Sequence, residues 1–206
     1  MNNRTSIYEP IKNGYNFGSR KFNKNINGYQ LDEKLSNKNH QVYFNKDKND
    51  LLFNVNGTRP EIMDWKNNIS LGLGSIGKYI PFVGGMKESD RYKDSHKALR
   101  EAKQKYNKNN ATLTGHSKGA YIISNIGSRD DKIIGLDKGT TLFQKSRPNE
   151  IDFRSKGDVV SILGANAKHT INLENKNKHT PSVLLNAYNA HNVDNIKNET
   201  HKDLFF

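Results

Sequence analysis

One stretch limits what this chain can become more than any other: Ala111-Thr112-Leu113-Thr114-Gly115-His116-Ser117-Lys118-Gly119-Ala120-Tyr121. It opens as a short β-favouring run, passes through a G-x-S-x-G pentapeptide, and continues through Ile122 and Ile123 as a segment able to be helical. A strand, a sharp glycine-flanked turn with serine at its tip, and a helix together present a side chain at the end of a sheet. The glycines answer a steric need. A side chain two residues either side of the serine would collide with the adjoining strand or helix. The helix that follows aims its N-terminal amides where a negative oxygen would develop during acyl transfer. Ser117 is therefore a candidate nucleophile, with Gly115 and Gly119 as the glycines of its turn. A base, an acid and oxyanion donors must then come from elsewhere in the chain.

Residues 1–40 carry few aliphatics, many Asn, Lys and Gly, and scattered aromatics at Tyr8, Tyr15, Phe17, Phe22 and Tyr29. This composition predicts an irregular basic N-terminal arm, laid over the domain or left mobile, ahead of a domain spanning 41–206. Residues 41–44 and 51–55 read as two strands joined by a polar turn. A loop follows at Asn56-Gly57-Thr58-Arg59-Pro60. Residues 71–86 are rich in glycine and apolar side chains, which suits a flap beside an active site. Within them, Gly72 to Lys78 imitates a phosphate-binding loop. The next residue is Tyr79, however, where that motif needs a hydroxyl for magnesium, and no apolar strand leads in. Nucleotide binding is not expected there.

Residues 89–106 form the clearest helix, with Tyr92, Leu99, Ala102 and Tyr106 on one stripe and Glu101 and Lys105 spaced for an ion pair. Residues 132–136 and 151–154 read as further strands. Strands alternating with helices over short connections predict an α/β fold, a mostly parallel sheet with helices on both faces.

The acid should sit just past a strand end. Asp158 does so, after Phe153 and a small glycine turn; Asp137, after Leu136, is the runner-up, and Asp152 reads as part of a strand. Four histidines lie beyond Ser117 and the candidate acids: His169, His179, His191 and His201. His191 is favoured because the apolar run before it can pack on the core and fix its position, and His201 comes next. The imidazole would take the Ser117 proton and return it to the leaving alcohol, while a carboxylate holds its tautomer.

These residues resemble the lipase class 3 (fungal lipase-like) family of the α/β-hydrolase fold. Leu113-Thr114-Gly115-His116-Ser117 is close to that family's L-T-G-H-S. Asn56-Gly57-Thr58, with Asp64-Trp65 and Asn67 downstream, resembles its R-G-[ST] loop. Gly157-Asp158-Val159-Val160 and Ala190-His191-Asn192-Val193 resemble its acid and histidine segments. The resemblance covers about residues 42–196. It implies an α/β-hydrolase-like fold, a triad of Ser117, Asp158 and His191, and an oxyanion hole from Thr58 and the backbone N–H of Lys118. It also implies hydrolysis of lipid carboxylic esters with neither cofactor nor metal. Two positions depart from the pattern: Asn56 stands where the family has arginine, and Ser117-Lys118-Gly119-Ala120 replaces S-L-G-G.

Bulk properties bound the partners. The length of 206 residues suits one domain with a real core, and the formal charge of +12 favours encounter with anionic surfaces such as phospholipid headgroups. Nucleic acid is not expected as the primary partner, because no recognised binding motif accompanies the charge. With no cysteine, disulfides, thiol nucleophiles and Cys-bound metals are excluded. No signal-peptide core or membrane-spanning run is visible, so the chain reads as soluble. The competing expectation is a hydrolase fold reused, without catalysis, to bind an anionic membrane, nucleic acid or another protein.

Overall fold

The computed structural model describes residues 4–57, 90–139, 147–158, 161, 169–174 and 183–206. Among these residues, eight strands form one sheet in chain order: β1 (Asn25–Ile26), β2 (Tyr29–Leu31), β3 (His40–Asn45), β4 (Asp50–Val55), β5 (Thr112–His116), β6 (Lys132–Leu136), β7 (Glu150–Ser155) and β8 (Thr170–Leu173). Neighbours from β1 to β4 pair antiparallel, and from β4 to β8 they pair parallel. Parallel neighbours need crossovers. Helix α2 (Asp90–Lys105) lies on the connection from β4 to β5, and α3 (Lys118–Ile126) connects β5 to β6. Helix α1 (Tyr8–Tyr15) precedes the sheet, and α4 (Val183–Ala190) follows it, succeeded by two short 3₁₀ turns, Val193–Ile196 and Lys202–Leu204.

The sheet is covered on both faces, and the strands carry the apolar residues for both. Phe53, Val55, Leu113 and Ile133 face Leu99 and Ala102 of α2 and Ile122, Ile123 and Ile126 of α3. Ile134, Leu136 and Phe153 face the other way, onto Ile7 and Ile11 at α1 and onto Val193, Ile196 and Leu204. Adjacent Ile133 and Ile134 thus serve opposite layers, as the two-residue period of a strand requires. This is the α/β-hydrolase-like arrangement expected, with helices on both sides of a largely parallel sheet. Among the described residues, no helix is long and apolar enough to cross a membrane.

The N-terminal segment departs from expectation. Far from being an irregular arm, residues 4–40 supply α1, β1 and β2, and β2 pairs with β3 in the common sheet. Composition misleads here because few apolar side chains are needed when each is well seated: Ile7, Ile11 and Tyr29 are all fully buried. The polar residues between them are also committed. The Asn13 side-chain amide donates to Asn23 O and Tyr43 Oη, at 2.6 and 2.9 Å, and its oxygen accepts from Asn23 N. A second difference is local. Lys105 reaches Asp32 at 2.5 Å instead of Glu101, which pairs with Lys97 one turn earlier. The exposed helix face prefers the better-buried carboxylate partner.

Candidate active site

The carboxyl ends of the parallel strands form one edge of the sheet, where open α/β folds place their ligands. Ser117 follows β5, Asp137 follows β6 and Asp158 follows β7. Ser117 has φ 56° and ψ −123°, an uncommon conformation for a side-chain-bearing residue, and its N–H donates to Leu136 O at 2.9 Å. The flanking glycines are sterically required. A Cβ on Gly119 would lie 2.0 Å from Val55 O, and one on Gly115 would lie 2.8 Å from Ala120 N. Lys118 and Gly119 open α3, so their backbone amides lie in the first turn of a helix that starts at this edge.

Asp158 is fully buried just beyond the turn at Gly157, whose φ is +85°. One carboxylate oxygen lies 3.0 Å from His191 Nδ1. The other accepts from Ser161 N at 3.0 Å and from Ser161 Oγ. The arrangement fixes a carboxylate against one ring nitrogen of a buried histidine. Burial alone would lower the pKa of His191. The Asp158 charge and hydrogen bond outweigh it, with help from Asp137, and the net shift is upward. His191 follows α4 and is tied down from behind, because Asn195 Nδ2 donates to the carbonyls of Asn189 and Ala190, both at 2.9 Å.

Asp137 is present at the same edge, fully buried, with φ 46°. It accepts from Ser155 N at 2.6 Å and Ser155 Oγ at 3.1 Å. Burial, and then the charge of Asp158, push its carboxyl up to about 7. Potential ligand atoms of His116, Asp137 and His191 lie within 4.8 Å of one another. Hydrogen bonds compete with metal ligation in this cluster: His116 meets Tyr15 Oη and the His191 carbonyl through its two ring nitrogens, and Asp137 accepts twice from Ser155.

The other candidates are placed as follows. Asp152 lies within β7 and takes part in a buried ion cluster with Lys138 and Glu150. His169 immediately precedes β8, and its carbonyl accepts from Asp152 N. His201 caps the last 3₁₀ turn, with its ring edge-on to Phe153. Thr58, His179, the P-loop-like run and the whole of 71–86 lie outside the described residues. Asn56, where the resembled family has arginine, is buried and bridges Gly14 O and Lys38 O at 3.0 and 2.8 Å. Arg91, at the start of α2, donates to the carbonyls of Asn56 and Gly57. It therefore supports from another helix the loop that leads to Thr58. The Lys118 side chain has its pKa lowered by burial and then by Arg91. Sequence reading passed over Arg91, Tyr15 and the structural role of His116. No local pattern marks Arg91 or Tyr15, since each acts across long sequence separations. His116 sits inside the motif and belongs to the L-T-G-H-S match, which assigns its ring no role.

No protein-family model matches the chain, and no curated protein matches it significantly. Among solved structures, it is similar to the crystal structure of the Lip2 lipase from Yarrowia lipolytica, with a TM-score of 0.50 and 13% identity. The match covers 85% of this chain and 79% of that one. At that identity the likeness is one of fold, the α/β-hydrolase fold.

Proposed function

We propose that the protein is a serine ester hydrolase acting on lipid carboxylic esters through an acyl-enzyme on Ser117. The observation that carries this reading is the buried Asp158–His191 pair, at the sheet edge that also holds the strained Ser117. In the proposed mechanism, Ser117 Oγ attacks the ester carbonyl while His191 Nε2 takes its proton. Asp158 holds the Nδ1–H tautomer and favours the imidazolium that forms. The backbone N–H of Lys118 and Thr58 would stabilise the tetrahedral oxyanion. His191 then returns the proton to the departing alcohol, and a water molecule releases the acyl group by the same steps in reverse. The charge of +12 supports a substrate presented at an anionic surface, phospholipid included.

The test is active-site labelling with a fluorophosphonate and mapping of the modified residue, alongside hydrolysis of acyl p-nitrophenyl esters. Label on Ser117, and loss of both label and hydrolysis in Ser117→Ala, is the expected result. Modification at another serine would remove Ser117 as the nucleophile, and an unlabelled protein that still binds anionic vesicles would replace this reading with the non-catalytic one.

A further inference from the structure

Several segments of the site meet on one ring, that of His116, the variable residue of the pentapeptide. The ring is 4% exposed. Its Nδ1 lies 2.7 Å from Tyr15 Oη, and its Nε2 lies 3.0 Å from the backbone carbonyl oxygen of His191. The two imidazoles pack with centroids 4.6 Å apart, inclined at 38°.

The donors and acceptors here have one consistent assignment. A carbonyl oxygen can only accept, so Nε2 of His116 carries the hydrogen. In the neutral ring Nδ1 is then a lone pair, and Tyr15 O–H donates to it. Burial first, and the neighbouring His191 second, keep this ring's pKa well below the ordinary value, so it stays neutral while His191 titrates. Gly57 closes the third side. A Cβ there would fall 2.1 Å from Tyr15 Oη and 2.9 Å from His116 O, so the backbone just before Thr58 lies against the same contact. Helix α1, which ends in Tyr15, also holds the segment after His191: Lys12 Nζ and Tyr8 Oη reach Asp194 Oδ1 at 2.7 and 3.0 Å. That exposed pair adds little by itself. The buried hydrogen bonds through His116 are the stronger constraint.

We propose that Tyr15 and His116 are positioning residues that brace the backbone of His191, which makes the N-terminal helix part of the catalytic unit. The inference rests on the reading of His191 as general base. It adds that the precision of that base is set by a tyrosine far from it in sequence. Without the tyrosine hydroxyl, His116 can adopt the tautomer with hydrogen on Nδ1. Its Nε2 lone pair then opposes the His191 carbonyl, and the base drifts from its working position. A misplacement of 1 Å can cost about 10²-fold in rate.

The experiment compares wild type with Tyr15→Phe, His116→Leu and His116→Gln. Steady-state hydrolysis of an acyl p-nitrophenyl ester is measured, together with the NMR signal of the His191 Nδ1 proton. Tyr15→Phe and His116→Leu should lower kcat on the order of ten-fold with KM unchanged, and should broaden or shift the proton signal. His116→Gln, whose amide can donate to the His191 carbonyl, should recover most of the kcat lost in His116→Leu. Unchanged kcat and proton signal in Tyr15→Phe would overturn the proposal. So would a fall in melting temperature with kcat per folded molecule unaltered. If His116→Leu does not fold, Tyr15→Phe decides alone, since it removes only a hydroxyl. Wild-type labelling at Ser117 separates the two readings. If wild type takes no label, the hydrolase reading fails, and the proton signal in Tyr15→Phe still tests the brace.

Discussion

The titratable residues at the sheet edge make predictions of opposite sign. As the proposed general base, His191 must be neutral to accept a proton, and Asp158 raises its pKa despite burial. Thus kcat/KM should fall as pH drops through a value above 6.5, the ordinary histidine pKa. Asp158→Asn removes the attraction and leaves the burial. The acid limb should then move to lower pH, with a loss in kcat on the order of 10⁴-fold from the wrong tautomer. A pH–rate profile of the two proteins checks both. Asp137 behaves differently. Its folded pKa is pushed up to about 7, above the unfolded value, so the folded state holds a proton that the unfolded chain releases. Stability from this group is therefore lost as pH rises from about 4 towards 7. Asp137→Asn should melt higher than wild type at pH 8 and near it at pH 4, in thermal scans at both values.

Helix α1 is the element whose importance composition concealed. Ile11 is fully buried against the face that carries Ile134, Leu136 and Phe153. Ile11→Ala should therefore destabilise by about 2–5 kcal/mol in urea or thermal unfolding. The parallel strands and α2 were legible in the sequence because their apolar runs and stripe are local and periodic. The N-terminal elements were not, because three isoleucines and a few scattered aromatics set no period. One local sign was available. Ile26-Asn27-Gly28-Tyr29 places Asn-Gly at the tip of the hairpin between β1 and β2, with φ 49° and 85° at the two turn residues. The candidate site divides along similar lines. Ser117, Asp158 and His191 carry short surrounding patterns, whereas Tyr15 and Arg91 act through contacts that only the folded chain creates. Asparagine also serves inside the fold. Asn13, Asn45, Asn54, Asn56 and Asn195 are buried. Asn54 takes part in a polar chain, donating to Gln41 and Asn56 and accepting from Thr114.

At the scale of the whole molecule, the two ends of the described chain are stitched together. Thr5 N donates to Phe206 O at 2.8 Å, Phe206 N returns the bond to Thr5 O at 3.0 Å, and Ile7 N donates to Leu204 O at 2.9 Å. Phe206 also packs edge-on to Tyr29. These bonds close the described backbone into something close to a ring. A circular permutant should test that directly. Residues 5 and 206 would be joined by a short glycine-serine tether, and new termini opened in the turn between β3 and β4 at residues 46–49, away from the carboxyl edge. It should fold to a circular dichroism spectrum like that of the parent and keep the parent's reactivity towards fluorophosphonate. Collapse of the permutant would mean that the seam between the ends needs a particular chain order to form. Success would mean that the seam between residues 5 and 206 holds the fold whichever way the chain is threaded.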